Sequence, residues 1–498
     1  MGKCIKLALI AGWVAVALAA TSAQPRPDFS AVREFIKTEM GVGTGTPSIA
    51  VAVARGNEIL WEEGFGWVDR PGGTVATKDT LYYTASVTKA ITATALMILS
   101  ERKQLDLDRP ANLYLKAAKL RSPYWNADEA TVRRIATHTA GLATYDSAEQ
   151  IPPAETIRRY GIVFRQPGNR FDYSNLGFGI LGQVIADVSG RSFQSFVHDE
   201  VLRPLKLENA WAGATPKAQH LVAPRFSALL RDFSPPLAEP TLPGASVLYS
   251  SAHELALFGM FHLKAHLRAQ KPVLSDAGID RLQDQAVVDG NVRHSLAWTI
   301  NDNQNGYRTL LAQGGTYDSQ AWLLLVPSEH IAVVVLANYG NVAVGKPIDQ
   351  ILSILLPTYR ENLAKAAQPV SSGAAAPAAA AVSAAAPEFA GSWSGEIQTH
   401  RANAPLTLAI TPAGEVQATL GKQAVVTMTN VRVRDNRMTA RMPGDLGVDY
   451  AGGAPYELRF ELYRQDNRLI GGAVTYAVPG RDGPRLPFWV ELERAGEK

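Results

Sequence analysis

The chain has 498 residues, 46% of them hydrophobic and 19% charged, with a formal net charge of +3. That length exceeds one compact domain, and the composition is globular, which excludes a disordered tail protein and gives no sign of a nucleic-acid partner. The single cysteine, Cys4, precedes the first apolar run, which excludes a thiol nucleophile, a disulfide framework and a thiolate metal site downstream.

Residues 1–23 read as a cleavable secretory signal. Lys3 and Lys6 lead, Leu7 to Ala20 is apolar, and Thr21-Ser22-Ala23 supplies small residues before Gln24. The run is too short for a comfortable membrane span of about 20 residues. The expectation is a periplasmic or secreted protein with no transmembrane span in its mature chain. Next, Asp28 to Met40 predicts a helix, with Phe29, Val32, Phe35 and Ile36 apolar. Pro47 to Ala54 and Glu58 to Trp67 predict two antiparallel strands joined at Arg55-Gly56-Asn57.

Thr84 to Met97 is rich in Ala and Leu and predicts a mostly buried helix with Ser86 in its first turn. Lys89 lies three residues on, so both side chains share a face. A serine there sits beside the positive helix end, which suits a nucleophile whose attack creates an oxyanion. The spacing alone is weak, since Ser100-Glu101-Arg102-Lys103 repeats it on what reads as a solvated helix end.

Val132 to Leu142 predicts a helix stopped by Gly141. Its lone His138 is read as an orienting or packing residue rather than a base. The turn-rich stretch Arg165 to Arg170 leads to Tyr173-Ser174-Asn175, from which Tyr173 and Asn175 can both face one cleft, and a helix then runs to Gly190. Ser251 with Glu254 is a capping box. On the helix it opens, His262 and His266 lack the glutamate of a zinc-protease pattern and read as surface histidines. Gln313-Gly314-Gly315-Thr316 precedes a hairpin of two apolar strands joined at Pro327-Ser328-Glu329, and its glycines would let the backbone approach a ligand. No metal site and no cofactor are expected.

Lys365 to Pro387 is nearly all Ala, Pro, Ser and Gly and reads as a linker. Residues 388–498 carry short alternating runs (Leu406–Ile410, Val416–Leu420, Val425–Val433, Arg437–Met442, Tyr456–Tyr463, Leu469–Tyr476, Phe488–Leu492), the rhythm of an all-β sandwich or barrel. They contain no evident catalytic set. The expected organisation is a signal peptide (1–23), a catalytic domain (24–364), a linker (365–387) and an all-β domain (388–498).

Ser86-Val87-Thr88-Lys89, Tyr173-Ser174-Asn175 and Gln313-Gly314-Gly315, in that order, resemble the three motifs of the penicillin-recognising serine hydrolases. Thr137-His138-Thr139-Ala140-Gly141-Leu142 and Leu248-Tyr249-Ser250-Ser251-Ala252-His253-Glu254-Leu255 look most like the class C β-lactamase-related branch, which includes family VIII carboxylesterases, D-Ala-D-Ala carboxypeptidases and D-aminopeptidases. The resemblance covers about residues 28–360. It implies an α/β (α+β) fold: an antiparallel sheet flanked by helices plus a helical subdomain, β-lactamase/transpeptidase-like. Gly391-Ser392-Trp393-Ser394-Gly395 makes the small all-β, barrel-like C-terminal domain look like the lipocalin-like appendage of some members.

The mechanism implied is acyl transfer through a covalent intermediate on Ser86. Two routes give a base: a lysine kept neutral by burial, or a phenolate favoured by a nearby ammonium. By resemblance, Tyr173 acts with Lys89 and later protonates the leaving group. Asn175 would orient Lys89 and bind a substrate amide or carbonyl. The backbone N–H groups of Ser86 and Thr316 would form the oxyanion hole. Gln313 departs from the lysine or histidine usual in the third motif, which removes a positive anchor for a substrate carboxylate, although Arg308 or another cation would be an alternative. This tilts the expected substrate toward a small ester or amide. D-Ala-D-Ala peptides, other D-amino-acid peptides and β-lactams are the alternative substrates. A catalytically silent ligand-binding relative is the non-enzymatic alternative.

Overall fold

A computed structural model describes residues 26–38, 47–69, 73–146, 151–227, 232–233, 242–284, 287–289, 292–366, 387–448, 456–476 and 485–496. The expected signal segment and residues 367–386 of the expected linker lie outside the described residues.

After helix α1 (Ser30–Thr38), strands β1 (Ser48–Arg55) and β2 (Glu58–Asp69) form the expected hairpin. The central helix α2 (Thr88–Glu101) follows a 3-10 turn at Ala85–Val87. The helix expected to run to Gly141 is shorter. Helix α3 (Val132–Ala136) stops where His138 enters the left-handed region at φ 59°, so His138 sits past the helix. Helix α4 (Asn175–Ser189) is capped by the Ser174 side chain and ends at left-handed Gly190, as expected. Helix α5 (Ala252–His262) carries the expected capping box, whose Glu254 also accepts from the N–H groups of Asn209 and Ala210.

The late strands β3 (Thr299–Gln304), β4 (Tyr307–Thr316), β5 (Ser319–Val326) and β6 (Ile331–Ala337) join the early hairpin in one nine-stranded sheet. Its central order is β2-β1-β6-β5-β4-β3, all antiparallel. Side chains on a strand alternate between faces, and β1 sorts them by size. Ile49, Val51 and Val53 pack with Val333, Val335 and Ile348, the last from helix α6 (Gly345–Leu355). Ala50, Ala52 and Ala54 face the core that holds α2 and α5. Small residues let helices come close: a Cβ on Gly259 of α5 would lie 2.9 Å from the Ala332 Cβ. Burying one Val or Leu side chain is worth roughly 1.5–3 kcal/mol, so burial on both faces of this sheet stabilises the part that carries Ser86.

The C-terminal residues form a second nine-stranded antiparallel sheet. Its strands are β7 (Gly391–Gln398), β8 (Ala404–Ile410), β9 (Val416–Leu420), β10 (Val426–Thr427), β11 (Thr429–Arg434), β12 (Arg437–Gly444), β13 (Tyr456–Gln465), β14 (Arg468–Tyr476) and β15 (Pro487–Arg494). The order is β10-β9-β8-β7-β15-β14-β13-β12-β11. The two end strands are consecutive in the chain, so the sheet curls until its ends nearly meet. Leu406, Leu408, Leu458, Phe460 and Leu462 fill the inside, as in other small barrels. The run expected from Val425 to Val433 is split into β10 and β11, which stand at opposite ends of the order.

The C-terminal sheet packs against the irregular segments around residues 143–146 and 162–165 of the preceding part. Phe164 packs on Trp489 and Ile470, and Gly472 makes room, since a Cβ there would lie 2.8 Å from the Phe164 ring. Asp146 and Arg485 exchange backbone hydrogen bonds at 3.0 and 2.6 Å.

Candidate active site

Ser86 lies in the 3-10 turn just before α2, and Lys89 is the second residue of the helix. Helix α2 is buried from Thr88 to Leu99, an all-round burial that suits a stretch with no charged side chain other than Lys89. Lys89 is only 3% exposed, yet its Nζ has three acceptors: Ser86 Oγ at 2.8 Å, Asn175 Oδ1 at 2.8 Å and the Ala245 carbonyl at 3.0 Å. Burying a cation is costly unless such partners replace its water.

Thr88, inside the same motif, positions that carbonyl. Its Oγ1 accepts from the Val247 and Leu248 N–H groups at 2.9 and 3.0 Å while donating to Ala85. Thr92, one turn on, donates to the Gly244 carbonyl at 2.8 Å. The 244–248 stretch is thereby fastened along the helix that carries Ser86.

Tyr173 comes from the loop before α4, and its Oη stands 2.7 Å from Ser86 Oγ. The residue is 44% exposed, so the hydroxyl pair opens to solvent while Lys89 sits beneath it. The Tyr173 ring rests on the His138 ring, 4.6 Å between centroids, and Lys89 Nζ lies 4.9 Å from its centre. His138, expected to orient or pack, packs against the Tyr173, Phe171 and Phe178 rings. Its Nδ1 accepts from the Ser174 N–H at 3.1 Å. Burial, with Lys89 beside it, keeps this imidazole neutral well below its ordinary range.

Asn175, expected to orient Lys89, accepts from its Nζ through Oδ1. Its Nδ2 donates to Asp146 Oδ1 at 2.7 Å, a partner the sequence did not single out. Asp146 lies four residues beyond the motif at 137–142 and belongs to none, so no sequence signal pointed to it.

The structure redistributes the third motif. A Cβ on Gly314 would lie 2.1 Å from the Thr84 carbonyl oxygen and 2.7 Å from the Ser86 nitrogen, so this glycine admits the Ser86 turn rather than a ligand. Strand alternation, with unbroken register from Leu310 to Thr316, puts Gln313 on the other face, opposite Trp322 of β5. The Gln313 side chain is thus not brought to Ser86. The residue two places before Gly314, on its face, is buried Ala312. Gly315 lies against the Gln320 side chain. Thr316 uses its hydroxyl on Asp318 Oδ1 at 2.6 Å. Asp318 is fully buried and paired with Arg225 at 2.5 Å. The last pair linking β3 to β4 is Thr299 with Leu311, so the backbone from Ala312 to Thr316 presents an edge that β3 does not cover.

Two further expectations are corrected. Arg308 is not near Gln313: it pairs with Asp284 and Asp302 at the far end of β4. His262 is not a surface residue. It is 1% exposed, with Nε2 at 3.1 Å from Thr94 Oγ1, and His266 falls outside the helix. The period placed it correctly on α5, but α5 is covered on every side. Among the described residues, no group of three or more His, Cys, Asp or Glu is arranged to hold a metal ion.

A hydroxyl held between a buried lysine and a tyrosine, beside an open strand edge, has the donors and acceptors that serine acyl transfer requires. The family model described as Beta-lactamase matches residues 31–354. This chain belongs to the Beta-lactamase family. Family members of this fold are serine hydrolases. Among curated relatives, Unguisins hydrolase ungD' of Aspergillus campestris (strain IBT 28561) is 27% identical over 321 residues, covering 59% of this chain and 58% of that protein. The chain spans 56–62% of the length of the first curated relatives it matches. Two solved structures share the fold. The octameric penicillin-binding protein homologue from Pyrococcus abyssi has a TM-score of 0.56 at 19% identity, covering 92% of this chain and 100% of that one. The class C beta lactamase from Rhodobacter sphaeroides has a TM-score of 0.55 at 21% identity, covering 68% of this chain and 98% of that one. The Beta-lactamase match ends before the C-terminal sheet, whereas the Pyrococcus alignment is too long to omit it.

Proposed function

We propose that this protein is a secreted serine hydrolase that forms an acyl-enzyme on Ser86 with carboxylic esters or amides. The observation that carries the reading is the placement of Ser86 Oγ, 2.8 Å from Lys89 Nζ and 2.7 Å from Tyr173 Oη.

The three acceptors around Lys89 Nζ match the three hydrogens of an ammonium group. Lys89 then donates to Ser86 Oγ, which turns the serine proton toward Tyr173 Oη. Ser86 Oγ attacks the carbonyl carbon, the C=O π pair moves onto oxygen, and the serine proton passes to Tyr173 Oη in its phenolate form, which becomes the neutral phenol. The oxyanion rests on the backbone N–H groups of Ser86 and Thr316, each such donor being worth about 3 kcal/mol in the transition state. The carbonyl re-forms as the bond to the leaving alcohol or amine breaks, and Tyr173 protonates that leaving group. Water repeats the sequence on the acyl-enzyme, releasing the acid and free Ser86. The Lys89 charge offsets the negative charge that passes between the two oxygens.

The preference for esters or amides without a nearby acid rests on Ala312 and Gly314. The face of β4 turned to Ser86 offers no cation at these two positions, so a substrate carboxylate lacks the anchor that a lysine would give. We keep the assignment to the class C β-lactamase-related branch, and the lipocalin-like description of the C-terminal sheet, as parts of this proposal. Secretion is supported by the composition of residues 1–23. Among the described residues, no helix is long and apolar enough to cross a membrane.

The test is intact-protein mass spectrometry after incubation with p-nitrophenyl butyrate and, separately, with a penicillin. A transient butyryl adduct on Ser86 with rapid turnover supports the esterase reading. A long-lived penicilloyl adduct, with turnover of D-Ala-D-Ala peptides, moves the substrate class to cell-wall peptides. No adduct with either reagent returns the chain to a ligand-binding role.

A further inference from the structure

We propose that Glu461, on β13 of the C-terminal sheet, is a positioning residue for Tyr173, so that the hydrolytic site is complete only with that sheet in place. The inference rests on the serine-hydrolase reading above.

The loop that carries Tyr173 is rich in charge: Arg165, Arg170 and Asp172 precede it within nine positions. Asp172, next to Tyr173, accepts two hydrogen bonds from Arg170, both at 2.9 Å, and pairs with Arg165 at 3.1 Å. Its own N–H donates to the His138 carbonyl at 2.7 Å. Two guanidinium groups on one carboxylate leave excess positive charge in a half-buried place. Glu461 supplies a second carboxylate from the C-terminal sheet. Its Oε2 accepts from Arg165 Nε and Nη2 at 3.0 and 2.7 Å and from Arg170 Nη2 at 3.0 Å. Its Oε1 pairs with Arg170 Nη1 at 2.8 Å and accepts from Tyr463 Oη at 2.7 Å and Arg437 Nη1 at 3.2 Å.

Glu461 thus uses both oxygens to hold the two arginines that hold Asp172. Burial works against its charge, but Arg165 and Arg170 outweigh that and keep it below the ordinary carboxylate range. With both arginines fixed, Asp172 has one geometry, and the peptide that leads into Tyr173 has one course over the His138 ring. The alternation of β13 is what aims Glu461 outward: Phe460 and Leu462, on either side, fill the barrel interior. A second link reaches the site from Arg485, two residues before β15 of that sheet. Asp146, which holds Asn175, is paired through its backbone with Arg485.

The experiment compares full-length wild type with Glu461→Gln, Glu461→Asp and Glu457→Gln. Glu457 lies on the same strand and pairs with Arg459 and Arg441, not with the Tyr173 loop. Ester hydrolysis and amide hydrogen exchange over residues 165–176 are measured in each. Glu461→Gln lowers kcat at least tenfold with KM changed less than threefold, and raises exchange over 170–176. Glu461→Asp, which keeps the charge, recovers part of both effects. Glu457→Gln changes neither. The proposal fails if Glu461→Gln keeps wild-type kcat and exchange, or if Glu457→Gln matches its losses, which would make the effect general loosening of the sheet. Should Glu461→Gln not fold, Glu461→Asp decides: an unaltered kcat and exchange pattern overturns the proposal. A wild type without hydrolytic activity refutes the hydrolase reading alone, because the exchange arm reads the loop without substrate.

Discussion

Asn175 and Asp146 join through a 2.7 Å hydrogen bond, and that bond sets which atom of Asn175 meets Lys89. With its Nδ2 committed to a carboxylate, the amide turns its Oδ1 to Lys89 Nζ. Replacing Asp146 by Ala frees the amide to rotate. The expected result is a kcat reduced about tenfold with the fold intact, read from ester hydrolysis beside a thermal melt.

The Tyr173 hydroxyl is separable from its ring. The ring packs on His138, while Oη alone meets Ser86. Tyr173→Phe keeps the packing and removes the proton acceptor. Stability stays within about 0.5 kcal/mol and kcat falls by about 10² to 10⁴. A Tyr173→Phe enzyme of wild-type rate would assign the proton to another group.

Gly314 is a steric requirement of the Ser86 turn. Gly314→Ala places a methyl 2.1 Å from the Thr84 carbonyl oxygen. Neither backbone can yield cheaply, so the substitution costs about 1–3 kcal/mol and shifts Ser86. A lowered urea midpoint accompanied by lost acylation checks this. Gln313→Ala, on the opposite face, leaves acylation near wild type.

Arg225 and Asp318 form a buried ion pair behind Thr316. Removing one partner strands the other charge away from water. Asp318→Ala is expected to cost about 3–5 kcal/mol, while replacing both residues by apolar ones of similar volume costs less. Denaturant curves for the two singles and the double measure the difference.

His262 gives a pH dependence of defined sign. Burial pushes its imidazole down to about 3, against 6.5 for the ordinary side chain. Below 6.5 the unfolded chain binds a proton that the folded chain refuses, so this residue's contribution to stability is lost as pH falls. The slope reaches about 1.4 kcal/mol per pH unit for one group, over the window from 6.5 down to about 3. His138 acts in the same direction. His262→Gln flattens the acid limb of the stability curve; an unchanged slope between pH 6 and 4 would remove His262 as its source.

Much of the architecture was legible in the residues because its causes are local. The hairpin at Gly56, the capping box at Ser251, the left-handed stop at Gly190 and the alternating C-terminal runs each depend on a few neighbouring side chains. Ser86 and Lys89 share one helical turn, so their approach was also predictable from spacing. His262 was misjudged because its helix has no polar face to give away which side is covered.

The chain order alone determined that Ser86 and Lys89 share a turn and that the C-terminal part is β, since helical and strand periods act over a few residues. Which face of β4 meets Ser86, which carboxylate turns Asn175, and that Glu461 grips a loop nearly 300 residues earlier were decided only by the folded chain. Those contacts join segments far apart in sequence, and a short-range pattern carries no record of the charge or the space that a distant segment will present.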